Sequence, residues 1–319
     1  MRGFDNRFTD FPDYILGITK EIWEDRGVGA RLKDYYHRDV IVRTPIGISL
    51  GEAASTKATM ETLVQFPDRV LFGEDVIWSG TPEAGMLSSH RLLSEATHSG
   101  DGIWGAPTGK RLKYRIIADC YAKDNQISDE WLVRDNGGVL RQLGTDPRDW
   151  AARQLDANPD LRALTPETDV VGPYRGTGND DEIGSTYAGL LTRLMEAEFS
   201  VISDHWDRAC GVEYAGNVSG YGRGAADAHW LGLRSSFPSA DFKIHHVIGR
   251  SDDPMMPPRA AVRWSLTGKH DGWGAFGAPT GAYVHVMGMS QAEFGPWGLR
   301  REYSLYDEAA IWLHILAAA

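Results

Sequence analysis

The chain repeats itself, and that repeat constrains everything else about how it folds. Residues 104–110 read WGAPTGK and residues 276–282 read FGAPTGA, an offset of 172. At the same offset His98 falls on His270, Gly100 on Gly272 and Arg91 on Arg263. Glu130-Trp131 falls on Glu302-Tyr303, and Asp135 on Asp307. Upstream, Phe66-Pro67 matches Phe237-Pro238 with the offset slipped by one, as a loop deletion would produce. Shared Gly and Pro alone could be turn chemistry, but this many polar matches in one register imply a duplication. The 319 residues are enough for two domains with a core each. The expected division is a first domain over 1–145, a linker over 146–182 and a second domain over 183–319. The linker is rich in Asp, Pro and Gly, with a short helix predicted over Pro147–Leu155 and a connector beyond it.

Each copy reads as α+β. In the first, Ile15, Ile18, Ile22 and Leu32 recur near a helical period around a break at Gly27–Gly29, and Gly51–Leu63 is a second helical stretch. Strand-like segments follow at Val70–Ser79, Met86–His98, Lys110–Ala122 and Ile127–Asp135, separated by turn residues. The second copy repeats this with helical Tyr187–Ile202 and Gly224–Leu233. Its strands are expected near Phe242–Ile248, Ala260–His270, Tyr283–Ser290 and Leu299–Asp307. Helices before a run of antiparallel strands place the helices on one face of a sheet, where a small-molecule cavity can form.

The formal charge of −11 argues against nucleic acid or anionic membrane as a partner. No apolar run reaches the roughly 20 residues needed to span a bilayer, and the N-terminal residues lack a signal-peptide pattern. Cys120 and Cys210 make neither a disulfide framework nor a metal-like spacing. A cytoplasmic, reduced protein is expected. Adjacent His245 and His246 point to opposite faces of a strand, so no metal site is expected, and no nucleotide loop or nucleophile elbow is present. No cofactor is expected.

Strand parity groups Asp135 with Ile127, Trp131 and Val133, and Asp307 with Tyr303 and Leu305. A carboxylate on an apolar face has its charged form disfavoured, which suits proton transfer. The competing reading is a strand-end Asp that caps the Asn136-Gly137-Gly138 turn. His98 and His270 each sit among apolar strand neighbours, as an acid/base partner or as a core histidine satisfied by backbone. Trp104, Trp131, Trp264, Tyr303 and Phe276 are candidate pocket walls or ordinary core. Arg91, Arg263, Glu130 and Glu302 fall on the opposite parity, and are expected on the sheet's outer face or between the copies.

The segments GEA (51–53), FPD (66–68), THSG (97–100), WGAPTGK (104–110), EWLVRD (130–135) and QLG (142–144) stand in an order that resembles the SnoaL-like polyketide cyclases of the nuclear transport factor 2-like superfamily. FPS (237–239), GKHDG (268–272), FGAPTGA (276–282) and EYSLYD (302–307) extend the resemblance to the second copy. It implies a tandem pair of cone-shaped α+β barrels, each with a deep apolar pocket. It also implies ring closure of a small apolar carbonyl compound by intramolecular aldol condensation, or a related isomerisation or dehydration, without metal or cofactor. Asp135 and Asp307 would be the acid/base groups, with His98 and His270 as partners. Members are usually single units that oligomerise, so the fused copies are expected to pair as an intrachain pseudo-dimer. The second copy lacks the QLG segment. The rival readings are a non-catalytic binding protein with two apolar pockets, or a scaffold in which the second copy only supports the first.

Overall fold

Asp10 starts the first helix, α1 (Phe11–Thr19), by accepting a hydrogen bond from the Asp13 N–H, with Pro12 in the first turn. The helix loosens into a π-helical turn over Lys20–Glu24 and is followed by α2 (Ala30–Tyr35), β1 (Tyr36–Thr44), β2 (Gly47–Leu50) and α3 (Gly51–Gln65). Four long strands come next: β3 (Val70–Thr81), β4 (Gly85–Thr97), β5 (Arg111–Lys123) and β6 (Gln126–Arg134). Helices α4 (Asn136–Leu143) and α5 (Pro147–Ala157) close the first half. The second half repeats the order as α6 (Glu182–Met195), α7 (Ser200–His205), β7 (Trp206–Tyr214), β8 (Val218–Tyr221), α8 (Arg223–Ser236), β9 (Asp241–Arg250), β10 (Arg259–Lys269), β11 (Tyr283–Gly295), β12 (Gly298–Tyr306) and α9 (Glu308–Ala317). This computed structural model describes residues 1–318. No helix in it is long and apolar enough to cross a membrane.

The eight long strands lie where the alternation predicts. The helix expected over Tyr187–Ile202 is instead two helices, because Ala197 takes a left-handed φ of 65°. The hairpins β1–β2 and β7–β8, short and partly solvent-facing, carry too little alternation to be seen in the sequence.

Each half holds one six-stranded sheet, ordered β2-β1-β6-β5-β4-β3 and β8-β7-β12-β11-β10-β9. The pairing is antiparallel except where β1 runs parallel to β6 and β7 to β12. The expectation of cone-shaped barrels is therefore corrected. Neither sheet closes, since β2 does not meet β3 and β8 does not meet β9. Closure needs the two edges to pair, and here the chain leaves each short edge strand directly into a helix, α3 or α8, that packs beside it.

The two sheets pack face to face, helices outward. Arg91 lies over the Tyr303 ring at 3.4 Å and Arg263 over the Trp131 ring at 3.6 Å. Arg91 also donates to Gln291, while Arg263 pairs with Asp119 at 3.7 Å. Each contact is the other displaced by 172 residues, so the halves meet as an isologous pair. Ile77, Leu87, Ile248 and Ala261 form one apolar cluster in this layer, and Ile117, Val133, Met287, Met289 and Leu305 another. The contact is thus a mixture of apolar side chains and buried guanidinium groups rather than largely apolar sheet. Strands β4 and β10 are buried on both faces, one against helices and the other against the opposite sheet.

Residues 158–181 are not a slack connector. Arg43 binds Asp169 and the Val170 carbonyl, the Tyr174 N–H donates to Asp129, and the Tyr174 hydroxyl meets His246 Nε2 at 2.6 Å. The segment is a strap laid along the junction.

Arg263 is the interface group with most to lose, since Asp119 and Trp131 both rely on it. Arg263→Met should destabilise the protein by about 3 kcal/mol in urea unfolding, because Asp119 is left buried and unpaired. Adding Asp119→Asn should restore part of that loss. A single-variant loss below about 1 kcal/mol would show that the pair is energetically idle.

Candidate functional site

Between the helices and the inner face of the first sheet lies a cavity of about 170 Å³. Ile15, Ile18 and Ile22 form its helical wall, Ser55, Ala58 and Thr59 of α3 its side, and Leu92, Ile116 and Ala118 its floor. Into this apolar space project Tyr36, Arg69, His90, Cys120, Glu130 and Arg134.

Glu130 reaches the cavity because of one extra residue. On β6, Ile127 pairs with Ala122 and Asp129 with Tyr121, so Ser128 is a β-bulge without a partner. The bulge reverses the parity downstream. Ile127, Glu130, Leu132 and Arg134 consequently share the cavity face, while Asp129, Trp131 and Val133 face the other sheet. The expectation that put Glu130 and Glu302 on the outer face is corrected by this register. Arg91 and Arg263, on strands without such a reversal, do lie between the copies.

Glu130 accepts a hydrogen bond from the Tyr36 hydroxyl at 2.8 Å. Burial pushes its carboxyl up to about 7, partly opposed by that hydrogen bond, by the Arg134 charge and by the Cys120 thiol beside it. His90 is held at Nδ1 by the Ser88 hydroxyl at 3.1 Å, and burial lowers its pKa to about 4, so the ring is neutral. The cavity therefore offers a carboxyl that titrates near neutrality beside a neutral imidazole.

The second half has the same frame with its interior filled. Leu92 and Ile116 face each other across β4 and β5, and at the equivalent pair stand Trp264 and Gly288. A Cβ on Gly288 would lie 2.2 Å from the Trp264 ring, so only glycine leaves room for that indole. Register places Trp206 where the first half has Tyr36, and Tyr214 where it has Thr44. The left-handed glycines Gly51 and Gly222, which precede α3 and α8, align His229 with Ala58 and Trp230 with Thr59. His229 stacks on Tyr214 at 3.8 Å and on Tyr306 at 5.5 Å, occupying the space that is open in the first half. Glu302, the counterpart of Glu130, accepts from Tyr187 at 2.8 Å, Trp206 at 3.1 Å, Trp230 at 3.3 Å and the Tyr214 hydroxyl. Its acceptor capacity is spent on the protein itself.

The residues singled out by their repetition lie elsewhere. Asp135 caps α4 through the Gly138 N–H and accepts from the Gly216 and Asn217 N–H groups of the other half at 2.8 and 2.7 Å. Asp307 caps α9 through the Ala309 N–H and accepts from Asn136 of the first half at 2.6 Å. Burial raises the two to about 6 and about 7 respectively. These aspartates tie the halves together, and neither lines the cavity. His98 and His270 hold their own loops: each Nδ1 meets a threonine hydroxyl (Thr108 at 3.2 Å, Thr280 at 3.1 Å) and each ring packs on Phe66 or Phe237. Asp135 and His98 are thus not brought together. Trp131 and Tyr303 lie in the sheet-to-sheet layer, and Trp104 stacks on Trp150. Trp264 fills the second interior, and Phe276 packs on Phe237 and Trp312. Tyr36, Arg69, His90 and Arg134 were not foreseen. The signal that marks them is difference between the copies, where Trp206, Ala240, Val262 and Tyr306 stand at the matching positions. Among the described residues, no group of three or more His, Cys, Asp or Glu could hold a metal.

No protein-family model and no curated protein matches the chain. Among solved structures, IdmH of Streptomyces antibioticus, described provisionally as a polyketide cyclase, is 22% identical with a TM-score of 0.37, over 42% of this chain and 98% of its own. AclR of Streptomyces galilaeus, described provisionally as a hydroxylase, is 20% identical with a TM-score of 0.37, over 42% and 94%. A protein of Jannaschia sp. CCS1, described provisionally as a SnoaL-like polyketide cyclase, is 18% identical with a TM-score of 0.36, over 43% and 96%. The Jannaschia protein carries the family name that the motifs of this chain suggest.

Copying the second interior into the first should close the cavity. Leu92→Trp combined with Ile116→Gly should leave circular dichroism unchanged while abolishing binding of an apolar fluorescent probe. Retained probe binding would place the site outside this cavity.

Proposed function

We propose that the first half is a cofactor-independent acid/base enzyme acting on a small carbonyl compound with an apolar body, and that the second half is its permanent structural partner. The observation that carries this reading is Glu130: a carboxyl with a pKa of about 7, buried in an apolar ligand-sized cavity and oriented by Tyr36. A base poised near the working pH can remove a proton from carbon beside a carbonyl and return it elsewhere. The negative charge that develops on the carbonyl oxygen needs a donor. Neutral His90 can supply one from Nε2 when the Ser88 hydroxyl donates to Nδ1. Ring closure by aldol addition is the form the sequence resemblance favours, and isomerisation or dehydration would use the same proton transfer. Sequestration of a ligand without chemistry would give no reason to hold a carboxyl at the balance point of ionisation.

The test is deuterium exchange from D₂O into the protons beside the carbonyl of a panel of aryl alkyl ketones, followed by NMR. Exchange should rise with pH through about 7, as Glu130 ionises. Glu130→Gln should lower it by roughly 10²–10⁴-fold, while Asp135→Asn should keep it. Equal exchange by wild type and Glu130→Gln would refute the assignment. Stability supplies a second readout. The folded pKa of about 7 lies above the model value of 4.5, so the native state retains the Glu130 proton that the unfolded chain gives up. The contribution of Glu130 to stability is present below the unfolded pKa and is lost as pH rises through the folded one. Wild type should therefore lose stability relative to Glu130→Gln between pH 5 and 8 in urea titrations at about those two limits.

A further inference from the structure

The same cavity contains two cations that the proton-transfer chemistry does not use. Arg69 is 4% exposed, and Arg134 stands on β6 four residues beyond Glu130, roughly 13 Å along the strand. Both line the cavity. The Nε of each is buried without a hydrogen-bond partner, and neither guanidinium is in an ion pair among the described residues. They are also close enough to repel each other, and Arg26 adds to the repulsion at Arg69. Elsewhere in this protein buried arginines are compensated: Arg43 by Asp129 and Asp169, Arg259 by Asp75 and Asp253. Burying an uncompensated charge costs several kcal/mol, on the order of what a whole domain has in reserve. Two adjacent like charges in an apolar cavity are a site whose counter-charge arrives with the ligand. The second half agrees. Where Glu302 is sealed and the interior filled, Ala240 and Tyr306 stand in place of Arg69 and Arg134, and both cations have gone with the cavity.

We infer that the ligand of the first cavity bears an oxyanion head, held by Arg69 and Arg134, with its apolar body and reacting carbonyl extending toward Glu130. This rests on the proposed reading of that cavity as a substrate site and narrows its substrate class to acids. Arginine's planar fork suits a carboxylate or a phosphoryl group, by two parallel hydrogen bonds.

Three probes with one apolar body test the head: 3-benzoylpropionate, its primary amide, and 2-benzoylethylphosphonate. Thermal shift and titration calorimetry on the full chain should show an anion binding at least about tenfold more tightly than the amide. The carboxylate–phosphonate comparison then names the head. In Arg134→Met and Arg69→Met the preference should vanish, with amide binding changed less than about twofold. Without ligand, both variants should melt at a higher temperature than wild type, since each removes an uncompensated buried charge. Variants that melt lower, an amide that binds as well as the acids, no anion-dependent shift with any probe, or inorganic phosphate alone matching the full probes would each overturn the inference. The two readings fail separately. Acid binding through the arginines without deuterium exchange sinks the role of Glu130 alone. Exchange on neutral ketones with no advantage for acids sinks the oxyanion head alone.

Discussion

The face-to-face packing of the two sheets is the contact on which the rest of the molecule depends. Each sheet has helices on one side only, so its other face must find cover or stay in water. Here the cover is the equivalent face of the other half, with Arg91 on Tyr303 and Arg263 on Trp131 as reciprocal stacks. The charges do not leave the interface, because each guanidinium gains an aromatic face and a polar partner, Gln291 or Asp119. The strap over 158–181 adds ties to both halves, and the capping aspartates bind across the junction. Neither half is thereby an independent body, and the conformation of the first cavity's floor is set partly by the sheet behind it.

That arrangement explains how one copy can give up a cavity. A fused partner needs its outer sheet face intact, since that face is the interface, but nothing about its interior beyond a well-packed core. Trp264, Trp230, Trp206, Tyr214 and His229 supply that core in the second half, and Gly288 makes room for the largest of them. Well-packed aromatic volume in place of a void favours stability. The first half keeps the opposite compromise: small side chains on α3, an open cavity, and charged groups whose burial is unfavourable unless something binds. Functional sites commonly hold groups that a purely structural core would exclude.

Repetition and chemistry are consequently different signals in this chain. The THSG and GAPTG segments recur because both copies need the same turn. Gly109 and Gly281 take φ of 68° and 76°, and a Cβ on Gly100 or Gly272 would strike the backbone of the preceding helix at 1.8 or 2.1 Å. His98 and His270 recur as braces of that turn. What is shared marks the frame, and what differs between the copies marks the site.

The sequence by itself determined the duplication, the order of elements, the eight long strands and the presence of turns at the repeated glycines. Local chemistry sufficed there: period, β-branching, and backbone conformations open chiefly to glycine. It also carried Asp135 and Asp307 as strand-end aspartates before a turn, one of the two readings open for them and the geometry they adopt. Which carboxylate faces the cavity was decided only in three dimensions. Alternation assigns faces correctly along an unbroken strand, but the bulge at Ser128 inverts every side chain beyond it, and a bulge exists only in the pairing of β6 with β5. Whether the sheets close, and which interior is open, likewise depended on contacts between segments far apart in the chain. The indole of Trp264 fits because a glycine lies opposite on the neighbouring strand, a relation that spacing along one chain does not express.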